Sequence, residues 1–368
     1  MEILNKLRDK VNSSNFIYLN YMNNNEKNKW NCICSAMDWI QVGVATIREE
    51  DIYSGNHLIK CMNFYRYISA IDLVCEAIYQ LHRIIMGNGE LPFKGDCSVF
   101  KENVLKTQDD DEFFKEIRAS FGAHATNLKN GKNPEKRRFA SWSIEGGLIG
   151  ENCDWSVILY SNQKGEKDIC VGVNISDLKL YFEKRYDYIK KLIEKLDDLE
   201  CEFTNKMKNK KIKNVSIPRK QLLVLEKENK ERMCSSMVNE LIKEIMLFFN
   251  TKFNEIANEK QIQNFKERLV CGIEEIKNVL QNMDYNAEFK ILDILHPKCP
   301  RSIHAYNYEL SNLYSSVFTN NKKVYFKEIL IEPLKSYITF NYKTEAEFYF
   351  LLIIALNIAE ENSDIIII

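Results

Sequence analysis

The feature that most constrains this chain is a long stripe of apolar residues at helical spacing between Asn56 and about Met86: Met62, Tyr65, Ile68, Cys75, Ile78, Tyr79 and Ile85. Side chains three and four residues apart share one face of an α-helix, so this segment must bury that face against other elements. Gly87-Asn88-Gly89 follows and supplies the stop expected at a helix C-terminus. With only 6 Pro and 13 Gly in 368 residues, the rest of the chain has little room for long disordered or β-rich stretches.

Other segments repeat the pattern. From Asn31 to Glu50, the residues Ile33, Met37, Ile40, Val44 and Ile47 recur at the same period. A helix is expected from about Asp111 to Leu128, with Phe113, Ile117, Phe121 and Leu128 on one side. Asp109, Asp110, Asp111 and Glu112 sit at its start, where the helix dipole favours acids. The period then changes to two. Trp155, Val157 and Leu159, then Ile169, Val171 and Val173 beyond Asn162-Gln163-Lys164-Gly165, read as a β-hairpin over about 154–175. Ser176 can cap a long helix carrying Leu178, Phe182, Tyr188 or Ile189, Leu192, Leu196, Leu199 and Phe203, at a near-heptad spacing that suits a partner helix.

The acid-free run Lys206, Lys208, Lys210, Lys211, Lys213, Arg219 and Lys220 reads as a basic linker, 206–220. Beyond it, helical stripes return at Met233–Phe249, Leu269–Met283, Ala305–Phe318 and Glu345–Ala359. Val324–Ile331 is either an isolated strand or a helix start. The expected fold is therefore mainly α. It has a helical bundle with an appended hairpin at 1–205, the linker, and a second helical domain of unknown role at 221–368.

A net charge of −1 means that any nucleic-acid binding has to come from local basic clusters. The 11 Cys are an odd number, and Met1-Glu2-Ile3-Leu4-Asn5-Lys6 lacks the apolar core of a signal peptide, so reduced thiols and a cytoplasmic location are expected. No run approaches the ~18 apolar residues of a membrane helix, so no membrane partner is expected. The tail Ile365-Ile366-Ile367-Ile368 is too short to span and should tuck into the C-terminal domain or pair as a short strand.

Chemistry concentrates in Arg118-Ala119-Ser120-Phe121-Gly122-Ala123-His124. An arginine stays charged and can grip a phosphate through two N–H groups. A histidine passes protons near neutral pH. The spacing resembles the R-x(4–6)-H signature of HEPN-domain ribonucleases, helical-bundle proteins found among toxins and phage-defence effectors. The resemblance covers about residues 30–205 and implies metal-independent RNA cleavage without a cofactor. In that scheme His124 acts as general base on a ribose 2′-hydroxyl, or as acid on the leaving 5′-oxygen, and Arg118 holds the phosphate. On a continuous helix, positions six apart point ~120° away from each other. Two copies across a two-fold axis would bring both pairs to one scissile bond, so a homodimer is expected. Gly122 and Ala123 would let a partner backbone or an RNA strand approach closely.

Ser120 and Asn127 are candidates to bond a phosphate oxygen or orient the imidazole, and Glu76 is a candidate orienting carboxylate. The sequence departs from the family in two places. Ala119 stands where many members carry Asn, Asp or His, and Thr126 stands where those paired with nucleotidyltransferase antitoxins often carry a modifiable Tyr. The first departure leaves a non-catalytic helical interaction or sensor module as the alternative. The second gives no support to that regulatory partnership, although some regulatory protein partner is still expected of an effector.

Downstream, Lys129, Lys132, Lys136, Arg137 and Arg138 crowd a loop that would grip RNA backbone beside the site. His296-Pro297-Lys298-Cys299 and His304 match no common zinc spacing, so no metal site is expected. Cys32 and Cys34 read as helix-packing thiols, and Trp142 and Trp155 as core residues flanking the hairpin.

Overall fold

Contacts divide the molecule into two units, Met1–Glu200 and Cys201–Ile368, with the division inside one helix. The structure, a computed structural model, describes the chain outside residues 23–26, 88, 102–104, 106, 130–135, 143–152, 235, 254–255, 285, 299–303, 320–322 and 363–368. It is mainly helical with one small antiparallel sheet.

The first unit comprises α1 (Glu2–Ser13), α2 (Asn15–Met22), α3 (Lys29–Thr46), α4 (Glu49–Ile52), α5 (His57–Ile85), α6 (Asp110–Arg118), β1 (Leu128–Lys129), β2 (Arg137–Trp142), β3 (Trp155–Ser161), β4 (Ile169–Val173) and α7 (Ile175–Asp187). The helix that follows, α8 (Ile189–Asn209), contains the division. Asn56 starts α5 by accepting a hydrogen bond from Ile59 N–H at 3.1 Å, and Gly87 follows its end at φ 95°. α3 packs along α5 so closely that a Cβ on Gly43 would lie 2.4 Å from a Val74 methyl.

Three sequence expectations change here. The helix expected to reach Leu128 stops at Arg118. The hairpin is real but belongs to a four-stranded sheet in the order β1-β2-β3-β4, with β2 antiparallel to β3 and Phe139 opposite Tyr160. The sequence does not mark β2, because its pattern is inverted: Arg138 points inward and Phe139 outward. The long helix after the hairpin begins at Asn174 rather than Ser176 and breaks at Tyr188. Asp154 accepts from Ile175 N–H at 2.8 Å and so satisfies the start of α7 without a serine. Tyr188 turns away to His82. There His82 Nε2–H donates to the Glu90 carbonyl at 3.1 Å, which leaves Nδ1 to accept from the Tyr188 hydroxyl at 2.8 Å. Burial pushes the His82 pKa down, in keeping with this neutral form.

The core of this unit includes Phe64, Phe113, Phe114, Ile117, Phe121 and Val171. Arg185 is buried in it and charge-paired, with Asp111 at 2.7 Å and the Tyr181 ring at 3.7 Å from its guanidinium carbon.

The second unit comprises α9 (Pro218–Glu231), α10 (Ser236–Asn250), α11 (Glu259–Asn282), α12 (Ile291–Leu295), α13 (His304–Phe318), α14 (Lys327–Ile331) and α15 (Glu345–Glu361). The open alternative at Val324–Ile331 resolves as the short helix α14. From Phe348 to Leu356, α15 is buried on every side, which makes it the central element of its core. Among the described residues no helix is long and apolar enough to cross a membrane. The tail Ile365–Ile368 lies outside the described residues.

Candidate functional site

Arg118 is the last residue of α6, and its Nη1 donates to Asp72 Oδ2 of α5 at 2.5 Å. The arginine side chain is 38% exposed and that of Asp72 18%, so the pair sits at the rim of the fold. Arg118 Nε is buried and has no partner. One edge of the guanidinium is therefore fixed while part of the group reaches solvent.

Ala119–Ala123 then form a π-helical turn. His124 N–H donates to the Ala119 carbonyl at 3.1 Å, one residue wider than an α-helical turn. The wide turn sends Phe121 inward against Phe64 and Trp142. It also lays Gly122 on the ring of Tyr65: a Cβ there would lie 2.0 Å from a ring carbon. His124 is exposed where the chain leaves the turn, and its carbonyl accepts from Asn127 N–H at 2.9 Å.

This local structure corrects several expectations. The ~120° offset drawn from a continuous α-helix no longer applies, because the helix ends at the arginine. Gly122 is small because Tyr65 of the same chain occupies the space, rather than a partner or an RNA strand. Ser120 is 1% exposed, and its Oγ faces the interior without a partner, so it cannot reach a surface phosphate. Asn127 is exposed. Glu76 is exposed too, but the carboxylate that meets Arg118 is Asp72, one helical turn earlier on the same face of α5. The i, i+4 pairing of these two acids was visible in the sequence, and nothing in it said which would face the arginine.

The basic loop divides. Arg138 is 6% exposed: its Nη1 donates to the carbonyls of Leu159 at 3.0 Å and Lys167 at 3.2 Å, and Nη2 lies 3.4 Å from Glu166. It holds the sheet together and is not open to RNA. Lys136 is half-buried with its ammonium 3.9 Å from Glu166, and Arg137 is half-buried on β2. Lys132 and the side chain of Lys129 lie outside the described residues.

Trp142 and Trp155 join Phe64 and Phe121 in one aromatic cluster, with Phe64 and Trp155 stacked at 4.7 Å. This cluster fastens the sheet beneath the π turn. Cys32, expected to pack, is exposed. His296 lies 3.3 Å from the buried Glu244 of α10, while Cys299 lies outside the described residues. No family model matches the chain, and neither does any curated protein or solved structure.

Proposed function

We propose that the Met1–Glu200 unit is a metal-independent RNA endonuclease of HEPN type with Arg118 and His124 at its reaction centre. The observation that carries the reading is an exposed histidine set by a widened turn just beyond an arginine whose guanidinium Asp72 already holds. A guanidinium fixed on one edge has its direction set before a phosphate arrives, and its remaining N–H groups can meet a phosphate oxygen.

The imidazole takes the proton of a ribose 2′-hydroxyl, and the 2′-oxygen attacks phosphorus. The bond from phosphorus to the 5′-oxygen breaks, and that oxygen takes a proton from imidazolium or water. The products are a 2′,3′-cyclic phosphate and a 5′-hydroxyl. Arg118 offsets the charge that gathers on the non-bridging oxygens. DNA has no 2′-hydroxyl and should stay intact. The reading extends to a homodimer that pools two such pairs, and to a cytoplasmic toxin or defence effector restrained by a regulatory protein.

The test is gel analysis of total RNA incubated with the purified chain. His124→Ala should abolish cleavage while leaving the melting temperature nearly unchanged. Asp72→Asn should slow it about tenfold, on the order of 1.4 kcal/mol in the barrier. Undiminished cleavage by the His124 variant removes the assignment. A second reading, a non-catalytic interaction module, has one observation in its favour: Asp72 already neutralises Arg118, and Ala119 beside it brings no polar group. It requires RNA to remain whole with the wild-type chain as well.

A further inference from the structure

The lysine-rich stretch between Lys206 and Lys220 is not a loose tether. Side chains of the second unit grip its backbone. Arg232, 0% exposed, donates to the carbonyls of Met207 and Lys210, each at 2.7 Å. Gln281 of α11 accepts from Ile212 N–H at 2.9 Å and donates to the Lys208 carbonyl at 2.8 Å. Gln221 of α9 accepts from Val215 N–H at 2.6 Å and donates to the Lys213 carbonyl at 3.2 Å. Met207 and Ile212 are buried, whereas Lys206, Lys208, Lys211, Lys213, Arg219 and Lys220 are all exposed. Lys210 is engaged by Glu231 at 2.6 Å and Glu228 at 3.6 Å. Among the described residues the other cations of the stretch make no ion pair.

Fixed like charges repel one another and oppose the compact state. A segment whose only task was to span two helices would need neither a clamped backbone nor six exposed cations without an acid among their own residues. A polyanion reverses the balance: each phosphate it sets against a cation removes repulsion and releases counterions. Clamping also means that little backbone freedom is lost on binding.

We propose that residues 206–220 form a ridge that binds the phosphate backbone of single-stranded RNA. The choice of RNA rests on the nuclease reading above; the ridge itself lies in the second unit and needs neither Arg118 nor His124. Contacts of this kind position a strand without reading its bases, so binding should be indifferent to sequence.

The experiment measures fluorescence anisotropy of a labelled single-stranded RNA with the full chain carrying His124→Ala, so that the probe stays whole. The same chain with Lys208→Gln, Lys211→Gln and Lys213→Gln should bind at least tenfold more weakly at about 0.1 M salt. The slope of log affinity against log salt should become shallower by roughly 2, from about 0.7 per cation lost. Unchanged affinity and slope would overturn the proposal. Ile217 and Leu223 are exposed in the same part of the chain, so phosphatidylserine vesicles are run beside the RNA. Vesicle binding that is as tight as RNA binding, and weakened by the same triple change, would assign the ridge to a lipid surface and overturn it too. Failure of the nuclease reading looks different: the wild-type chain would bind RNA through the ridge and leave it uncut.

Discussion

Arg138 and Lys213 both stand in basic stretches of the sequence, yet one is closed inside a sheet and the other is held out in solvent. The difference lies in what surrounds each backbone. Around 138 a strand places every second side chain inward, and the guanidinium finds Glu166 and two carbonyls waiting. Around 213 the inward positions go to Met207 and Ile212, and buried side chains satisfy the backbone, so the lysines are left outside. A cluster of positive charge in a sequence is therefore no measure of positive surface. Arginine is the cation suited to burial, because its planar fork can satisfy several acceptors at once.

The sharpest way to break this contrast is to remove the charge at each place. Arg138→Met should destabilise the first unit by about 3 kcal/mol, since the carbonyls of Leu159 and Lys167 lose a buried donor and Glu166 loses one of its cations. The triple lysine-to-glutamine change on the ridge should move stability by no more than about 0.5 kcal/mol. Urea midpoints measure both, and equal losses would erase the distinction.

Next in size is Gly122→Ala. The added methyl meets the Tyr65 ring and should cost roughly 1–3 kcal/mol. The variant Gly122→Ala, Tyr65→Ala should recover part of that loss if the ring is the obstacle. The smallest effect concerns a charge pair with only one half buried. Glu244 accepts from the Tyr349 hydroxyl at 2.7 Å through one oxygen and faces His296 Nε2 at 3.3 Å with the other, and the hydrogen bond between Glu244 and His296 raises the His296 pKa above 6.5. The protonated histidine is the stabilising form. Its contribution should be complete below about pH 6.5 and fade as pH rises through the higher folded-state value. Urea titrations across this range should show the second unit weakening with pH, and His296→Gln should flatten that trend.

Much of the helical framework was legible because α3, α5 and α11 keep a 3.6-residue period long enough to stand out. The hairpin was legible through its period of two. β2 was not, because a buried arginine and an exposed phenylalanine invert the signal that marks a half-buried strand. The π turn was hidden for another reason: one extra residue in a turn changes no composition, and it shows only in the bond from His124 N–H to the Ala119 carbonyl and in the fit of Gly122 on Tyr65. At the candidate site, Arg118 and His124 could be singled out by residue type. Asp72 could not, because its meeting with Arg118 depends on how two helices cross. Ser120 and Arg138 failed as surface groups because polarity alone does not say which way a side chain points.

The burial of α15 on all sides also sets an order of events during synthesis. Every residue that fills the first core has been translated by Glu200, whereas the second core stays open until the chain reaches Glu361. At roughly 5–20 residues per second, ribosomes need about 10–30 s to cover that interval. For that time a nascent chain carries one finished half and a set of greasy helices waiting for their centrepiece. A chaperone with an appetite for exposed apolar helices would find its target there.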